Sequence, residues 1–119
     1  MKTASAKAKG RRAAKELRNS LLFHFSSLAQ EDIRVTPSSV TGEDLLLSQK
    51  AQEVLPFVFE VKNQERLNIW SAIQQAQGHI SDKRAPLVVF TRNRDRMFVA
   101  CEWNVFLTLL ARRDHVHGA

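Results

Sequence analysis

The chain is poor in cysteine, in long apolar runs and, over its first twenty residues, in acid. A lone cysteine, Cys101, excludes an internal disulfide in these 119 residues and suits a reducing, cytoplasmic setting. No apolar run approaches the roughly 20 residues that cross a bilayer, so no membrane partner is expected. The basic N-terminus leads into "AAKELRNS" and then only a short "LLFHF", which lacks the apolar stretch of a secretory signal. No repeat and no second domain is visible. With 44% hydrophobic and 25% charged residues the composition is globular, enough for one ordinary core.

The charge that is present sits unevenly. Residues 1–20 carry seven basic groups against Glu16 alone, a net of +6, while the other 99 residues carry 11 of each sign and cancel. Basic arms of this kind bind nucleic acid by displacing condensed counterions. The plainer alternative is a solvated tail. Lys7, Lys9, Arg11, Arg12, Lys15 and Arg18 are the candidate phosphate contacts.

Apolar periodicity outlines the elements. Residues 1–9 read as a flexible basic arm. From about Gly10 to Gln30, Ala13, Leu17, Leu21, Phe25 and Leu28 recur at helical spacing. Ile33–Val35 is a short strand, stopped by "TPSS". Asp44–Gln49 and Leu55–Lys62 are further strands, the second apolar on both faces and therefore central, with "KAQEV" as a turn or irregular hairpin connection. Ile69, Ile73, Ala76 and Ile80 mark a second helix. "PLVVFTR" and "MFVACE" form a closing hairpin, Trp103–Leu110 a last helix, and residues 112–119 a polar tail. The expected order is α-β-β-β-α-β-β-α in one domain over 10–111: an α/β fold with a mixed sheet of about five strands flanked by helices.

The strand "PFVFEVKNQE" raises the chemical question, because an apolar run ends on Glu60 and Lys62, which share one face. Ionised groups are costly to bury unless paired, hydrated or bound to metal. Asp44 opens the preceding strand and is expected beside Glu60. Two carboxylates, with the Val61 carbonyl available as a further ligand, suit Mg²⁺, a hard cation that keeps several waters. Such an ion polarises a phosphate and supplies a hydroxide nucleophile. Lys62 would orient that water or offset charge developing on phosphorus. Taken alone, a Glu-Val-Lys triplet is more often an exposed ion pair, and Asp44 could serve simply as a turn residue; the order of the three gives the set its weight.

In that order the chain resembles the PD-(D/E)XK nuclease superfamily, most of all its small phage-type members that are Holliday-junction resolvase-like endonucleases. "GEDLLLS" resembles the first acidic element, with Asp44 as the aspartate, and "PFVFEVKNQERLNIWSAIQQA" the acid-x-lysine strand and its following helix. "KGRRAAKEL" is similar to an N-terminal helix motif carrying an additional catalytic or metal-linked glutamate, here Glu16. "PLVVFTRNRDRMFVACEWNVFLTLL" is similar to the closing hairpin and helix. The resemblance spans about residues 8–110. Glu43 stands where the motif often has proline, and it rivals Asp44 for the metal.

The resemblance implies a restriction-endonuclease-like fold, Mg²⁺ with Mn²⁺ as a substitute, branched DNA such as a four-way junction as substrate, and a homodimer to make two coordinated cuts. It also selects Gln75, in a "QA" pair, over Gln74 as a contact to the attacking water or a phosphate; an ordinary surface glutamine is the alternative. Glu16 lies one step, about 100°, from Leu17 at the border of the helix's apolar stripe, so it is expected to reach over the sheet end. Rival readings are a monomeric nickase, a duplex or single-strand nuclease, and a non-catalytic DNA-binding protein on a nuclease scaffold. His24, His79, His115 and His117 are scattered and suggest no zinc site.

Overall fold

The structure is a computed structural model describing residues 4–80 and 83–118. Helix α1 (Ala4–His24) is followed by a single 3-10 turn (Gln30–Asp32), strands β1 (Ile33–Val35) and β2 (Leu45–Leu47), and a short helix α2 (Gln49–Val54). Then come β3 (Phe57–Asn63), α3 (Ile69–Gly78), β4 (Ala85–Thr91), β5 (Phe98–Ala100) and α4 (Trp103–Gly118). Among the described residues no helix is long and apolar enough to cross a membrane.

The architecture is α/β, with two small sheets in place of the expected sheet of five strands. β1 and β2 pair antiparallel; β3, β4 and β5 form the second sheet in that order, β3 parallel to β4 and β4 antiparallel to β5. The sheets share one apolar core, and Asp44 supplies hydrogen bonds that join them. Asp44 donates its N–H to the Phe59 carbonyl at 3.0 Å, while its carboxylate Oδ2 accepts the Val61 N–H at 2.7 Å. A side chain thus takes the donor that a continuing β2 backbone would need. Four residues later Ser48 ends the strand by capping α2, its Oγ accepting the Ala51 N–H.

Two layers of helix enclose the three-stranded sheet. Residues alternate along β3: Phe59 and Val61 join Leu87 and Val89 under Ala13, Ala14 and Leu17 of α1. On the opposite face Val88 meets Ala72 and Ala76 of α3, whose N-terminus Asn68 caps by accepting the Ser71 N–H. The small alanines let both helices approach the sheet closely. Ile33, Leu45, Val58 and Val88 are the largest fully buried side chains, each worth about 1.5–3 kcal/mol relative to exposure.

Four local expectations change. Helix α1 begins at Ala4, not near Gly10, because "ASAKAK" is alanine and lysine rich and both are strong helix formers; residues 4–9 of the expected arm are helical, and residues 1–3 lie outside the described set. The helix also stops at His24, well before Gln30. "KAQEV" is helical instead of a hairpin turn, held by the Ser48 cap and the buried Ala51. The backbone of α4 continues to Gly118 through the expected polar tail.

Candidate functional site

β3 contributes Glu60 and Lys62, and the segment entering β2 contributes Asp44. Gly42 sets that entry with φ +128°, a backbone region that side chains rarely adopt. Two residues on, Asp44 is pinned against β3 by the two hydrogen bonds described above. All three charged side chains, with Val61, line one cleft of about 250 Å³ between the open edge of β3 and helix α1. Its other wall is built from Lys7, Gly10, Arg11 and Ala14, and Thr36 and Ser38 lie at the loop side. Arg11 donates to Ser38 Oγ at 3.3 Å.

The charges are buried in a way ordinary surface pairs are not. Glu60 is 5% exposed and Lys62 8%. Lys62 Nζ stands 3.4 Å from Glu60 Oε1, and His79 Nε2 stands 3.8 Å from Oε2, beyond hydrogen-bond length. Glu60 Oε2 is buried without a hydrogen-bond partner among the described residues. Burial, followed by the neighbouring Asp44 charge, raises the Glu60 pKa above its ordinary value; Lys62 and His79 offset this only in part. The site therefore buries a carboxylate beside a second one, with one oxygen that no described residue bonds.

That combination fits a hard cation. Among the described residues no group of three His, Cys, Asp or Glu side chains gathers for a metal. A hydrated magnesium ion asks less: one or two carboxylates, a carbonyl and water. The N–H and C=O of one strand residue point to the same side, so the Val61 carbonyl faces the same edge as the N–H that Asp44 accepts. The cleft also has room for several waters of about 30 Å³ each.

Other expected residues divide. Glu43, the rival of Asp44, is held by Arg84 through two bonds of 2.8 and 2.9 Å and does not line the cleft. Glu16 does not reach the site. It is exposed, and it follows the cleft-lining Ala14 by two residues, about 200° around the helix. Of the six basic candidates, Lys7 and Arg11 line the cleft; Arg12 and Lys15 are exposed elsewhere on α1. Arg18 is used structurally, donating to the Ile33 and Gln30 carbonyls, and the Lys9 carbonyl accepts from Asn63 Nδ2. Gln74 and Gln75 are both exposed and line a second, shallower groove on α3 that also reaches Lys62, so position does not separate them.

His79 and Arg84 were not singled out from sequence. The histidine sits at the C-cap of α3, where the helix returns toward Glu60. Arg84 stands just ahead of β4, level with the segment that leads into β2. Only the parallel β3–β4 register brings either one near. No family model matches the chain, and neither a curated protein nor a solved structure matches it.

Proposed function

We propose that the chain is a Mg²⁺-dependent endonuclease of the PD-(D/E)XK type that hydrolyses phosphodiester bonds of branched DNA. One observation carries this reading: Asp44 from one segment and Glu60 and Lys62 from β3 line one cleft whose opposite wall bears Lys7 and Arg11. On this reading Asp44, Glu60 and the Val61 carbonyl hold the ion, with Mn²⁺ able to replace it. The ion, when bound, polarises the phosphate and lowers the pKa of its water.

The remaining work falls to the chain's own groups. Lys7 and Arg11 seat the phosphate backbone against α1. The Val61 N–H keeps the Asp44 carboxylate in place, so no reorganisation is needed at the moment of reaction. Lys62, already held at Glu60, places an ammonium where negative charge accumulates on the phosphate oxygens. Gln75, in the adjoining groove, orients the flanking strand. Resolving a four-way junction takes two cuts, so two copies act together.

The experiment is incubation of labelled four-way junction and linear duplex with and without Mg²⁺, comparing the wild type with Lys62→Ala and Glu60→Gln. Junction cleavage that requires the ion and disappears in both variants, with junction binding retained, is the expected result. Full cleavage in chelator contradicts the mechanism. Binding and cleavage falling together in both variants would make these residues structural.

A further inference from the structure

The face of the sheet that carries Glu60 and Lys62 extends beyond the cleft. β3 and β4 pair Lys62 with Phe90, and β4 and β5 pair Phe90 with Phe98, so the three side chains form one row across the sheet. Phe90 packs with Ala72 and Ala76 of α3, and Phe98 stacks on it with ring centres 5.9 Å apart, which identifies the face. At the far end of the row lies a pocket of about 360 Å³, with Phe90, Phe98 and Leu67 as its apolar part and Gln64, Arg92 and Arg96 among its polar groups. Gln64 and Leu67 also line the groove on α3 that reaches Lys62. Cleft, groove and pocket therefore adjoin in series.

Hydrogen bonds hold the turn that carries the arginines. Thr91 Oγ1 donates to the Asp95 carbonyl at 3.1 Å, Arg92 Nε to Asp95 Oδ2 at 2.8 Å, and the Asn93 N–H to Glu65 Oε1 at 3.2 Å. Both carboxylates at the pocket are thus engaged by the turn itself. Arg96 is anchored through its backbone N–H, which donates to Asp95 Oδ1 at 2.8 Å. Phe98 remains 53% exposed although Phe90 covers part of it.

We infer that this pocket receives the base of an unpaired nucleotide, in the DNA strand whose phosphodiester lies in the cleft. The substrate's class rests on the nuclease reading; the nucleotide is selected by the pocket's own chemistry. Its aromatic floor offers a surface on which any base stacks, and Arg96 offers a cation for the phosphate. Gln64 brings both donor and acceptor groups for a base edge. A purely apolar ligand would leave Arg96 and Gln64 unused, and a free phosphate would leave the rings unused. A paired base cannot enter, because its neighbours in the duplex already cover its faces. Two strand spacings, about 9.5 Å, separate Lys62 from Phe98 along the row. That is the length of roughly three stacked nucleotides, and of fewer unstacked ones. The base is therefore one close to the cut, and the substrate one with unpaired nucleotides at its branch, such as a flap.

Fluorescence anisotropy without Mg²⁺ tests this on a duplex bearing a short thymidine flap and on the same duplex bearing an abasic flap, which keeps the phosphates and removes the bases. The wild type is expected to bind the thymidine flap at least about fivefold tighter. Phe98→Ala should erase that preference, and Arg96→Ala should weaken binding to both flaps alike. Phe23→Ala, which removes an exposed ring near the far end of α1, should leave the preference intact. Circular dichroism reports folding; if Phe98→Ala unfolds, Phe98→Leu replaces it, keeping apolar packing without the ring. Equal affinity of the wild type for the two flaps overturns the inference. So does a preference that survives in whichever of the two Phe98 variants is folded. Cleavage of the same substrates in Mg²⁺ separates this outcome from that of the nuclease reading. Cutting without any preference for bases removes the pocket alone, whereas a preference without cutting removes the metal site alone.

Discussion

β3 and β5 flank the same strand and depart from ordinary burial in opposite directions. β3 buries Glu60 and Lys62; β5 leaves Phe98 and Val99 in solvent. Each arrangement is unfavourable for the chain by itself, since buried charge needs a partner and exposed rings order water. The difference teaches that the two edges of one sheet present different surfaces. The β3 edge has a buried carboxylate oxygen that no described residue bonds and a cationic wall opposite it, which on the proposed reading take an ion and a phosphate; β5 is uncharged and exposed.

The largest effect expected from breaking this contrast is chemical. Asp44→Asn or Glu60→Ala is expected to lower Mg²⁺-dependent junction cleavage at least about a thousandfold, whereas Glu16→Ala, on the exposed side of α1, leaves the rate within about twofold. Single-turnover cleavage rates check this. A rate loss for Glu16→Ala equal to that for Glu60→Ala would mean that α1 turns a different face to the site.

The next effect is on stability and has a definite sign. Burial and the Asp44 charge raise the Glu60 pKa above 4.5, so the folded protein holds that proton more tightly than the unfolded chain does. The stabilising contribution of the protonated group is complete below 4.5 and is lost as pH rises through the elevated value. Glu60→Gln, which removes the charge, is therefore expected to stabilise the metal-free protein at neutral pH, with the gain vanishing on acidification. Added Mg²⁺ should narrow the gap by stabilising only the wild type. Urea unfolding at two pH values, with and without the ion, measures all of this. A variant less stable than wild type at neutral pH would mean that the Lys62 pairing outweighs the burial.

Smaller still is the backbone at Gly42. An added Cβ meets no atom within 4 Å, so Gly42→Ala should cost only the strain of its positive φ, about 1–2 kcal/mol. The effect on cleavage should exceed the effect on stability, because the turn aims Asp44. The smallest effect is electrostatic. Replacing Lys7 and Arg11 together with alanine should reduce the slope of log K against log salt by about 0.9 per lost contact, and Arg12→Ala and Lys15→Ala should change it less. An unchanged slope in the first case removes α1 from the interface.

The legible parts of the fold were those decided by local pattern. The doubly buried character of β3 and the helical spacing of Ile69, Ile73 and Ala76 could be read directly. The face shared by Glu60 and Lys62 followed from strand alternation and needs no tertiary information. Elements decided by packing were not legible. Helix α2 has six residues and is held by a cap from Ser48 and the burial of Ala51, both consequences of where β2 ends. Glu16 lay at the border of an apolar stripe, and which side of a border faces a cleft depends on the rotation of α1 against the sheet. The Glu43–Arg84 pair joins residues 41 apart, and only the assembled strands bring them together. The five-stranded sheet failed for a related reason: period and composition show that β2 is a strand but not that the side chain of Asp44 intercepts its neighbour's N–H.

The central claim is that the paired carboxylates at the β3 edge exist to hold a hydrated cation. Anomalous diffraction from crystals grown with Mn²⁺ tests it most directly. The account predicts a single strong peak within coordination distance of both the Asp44 and Glu60 carboxylates and absent from Asp44→Asn crystals. A cleft with no peak, with Glu60 still paired to Lys62 and its other oxygen bonded to water or His79, would contradict it.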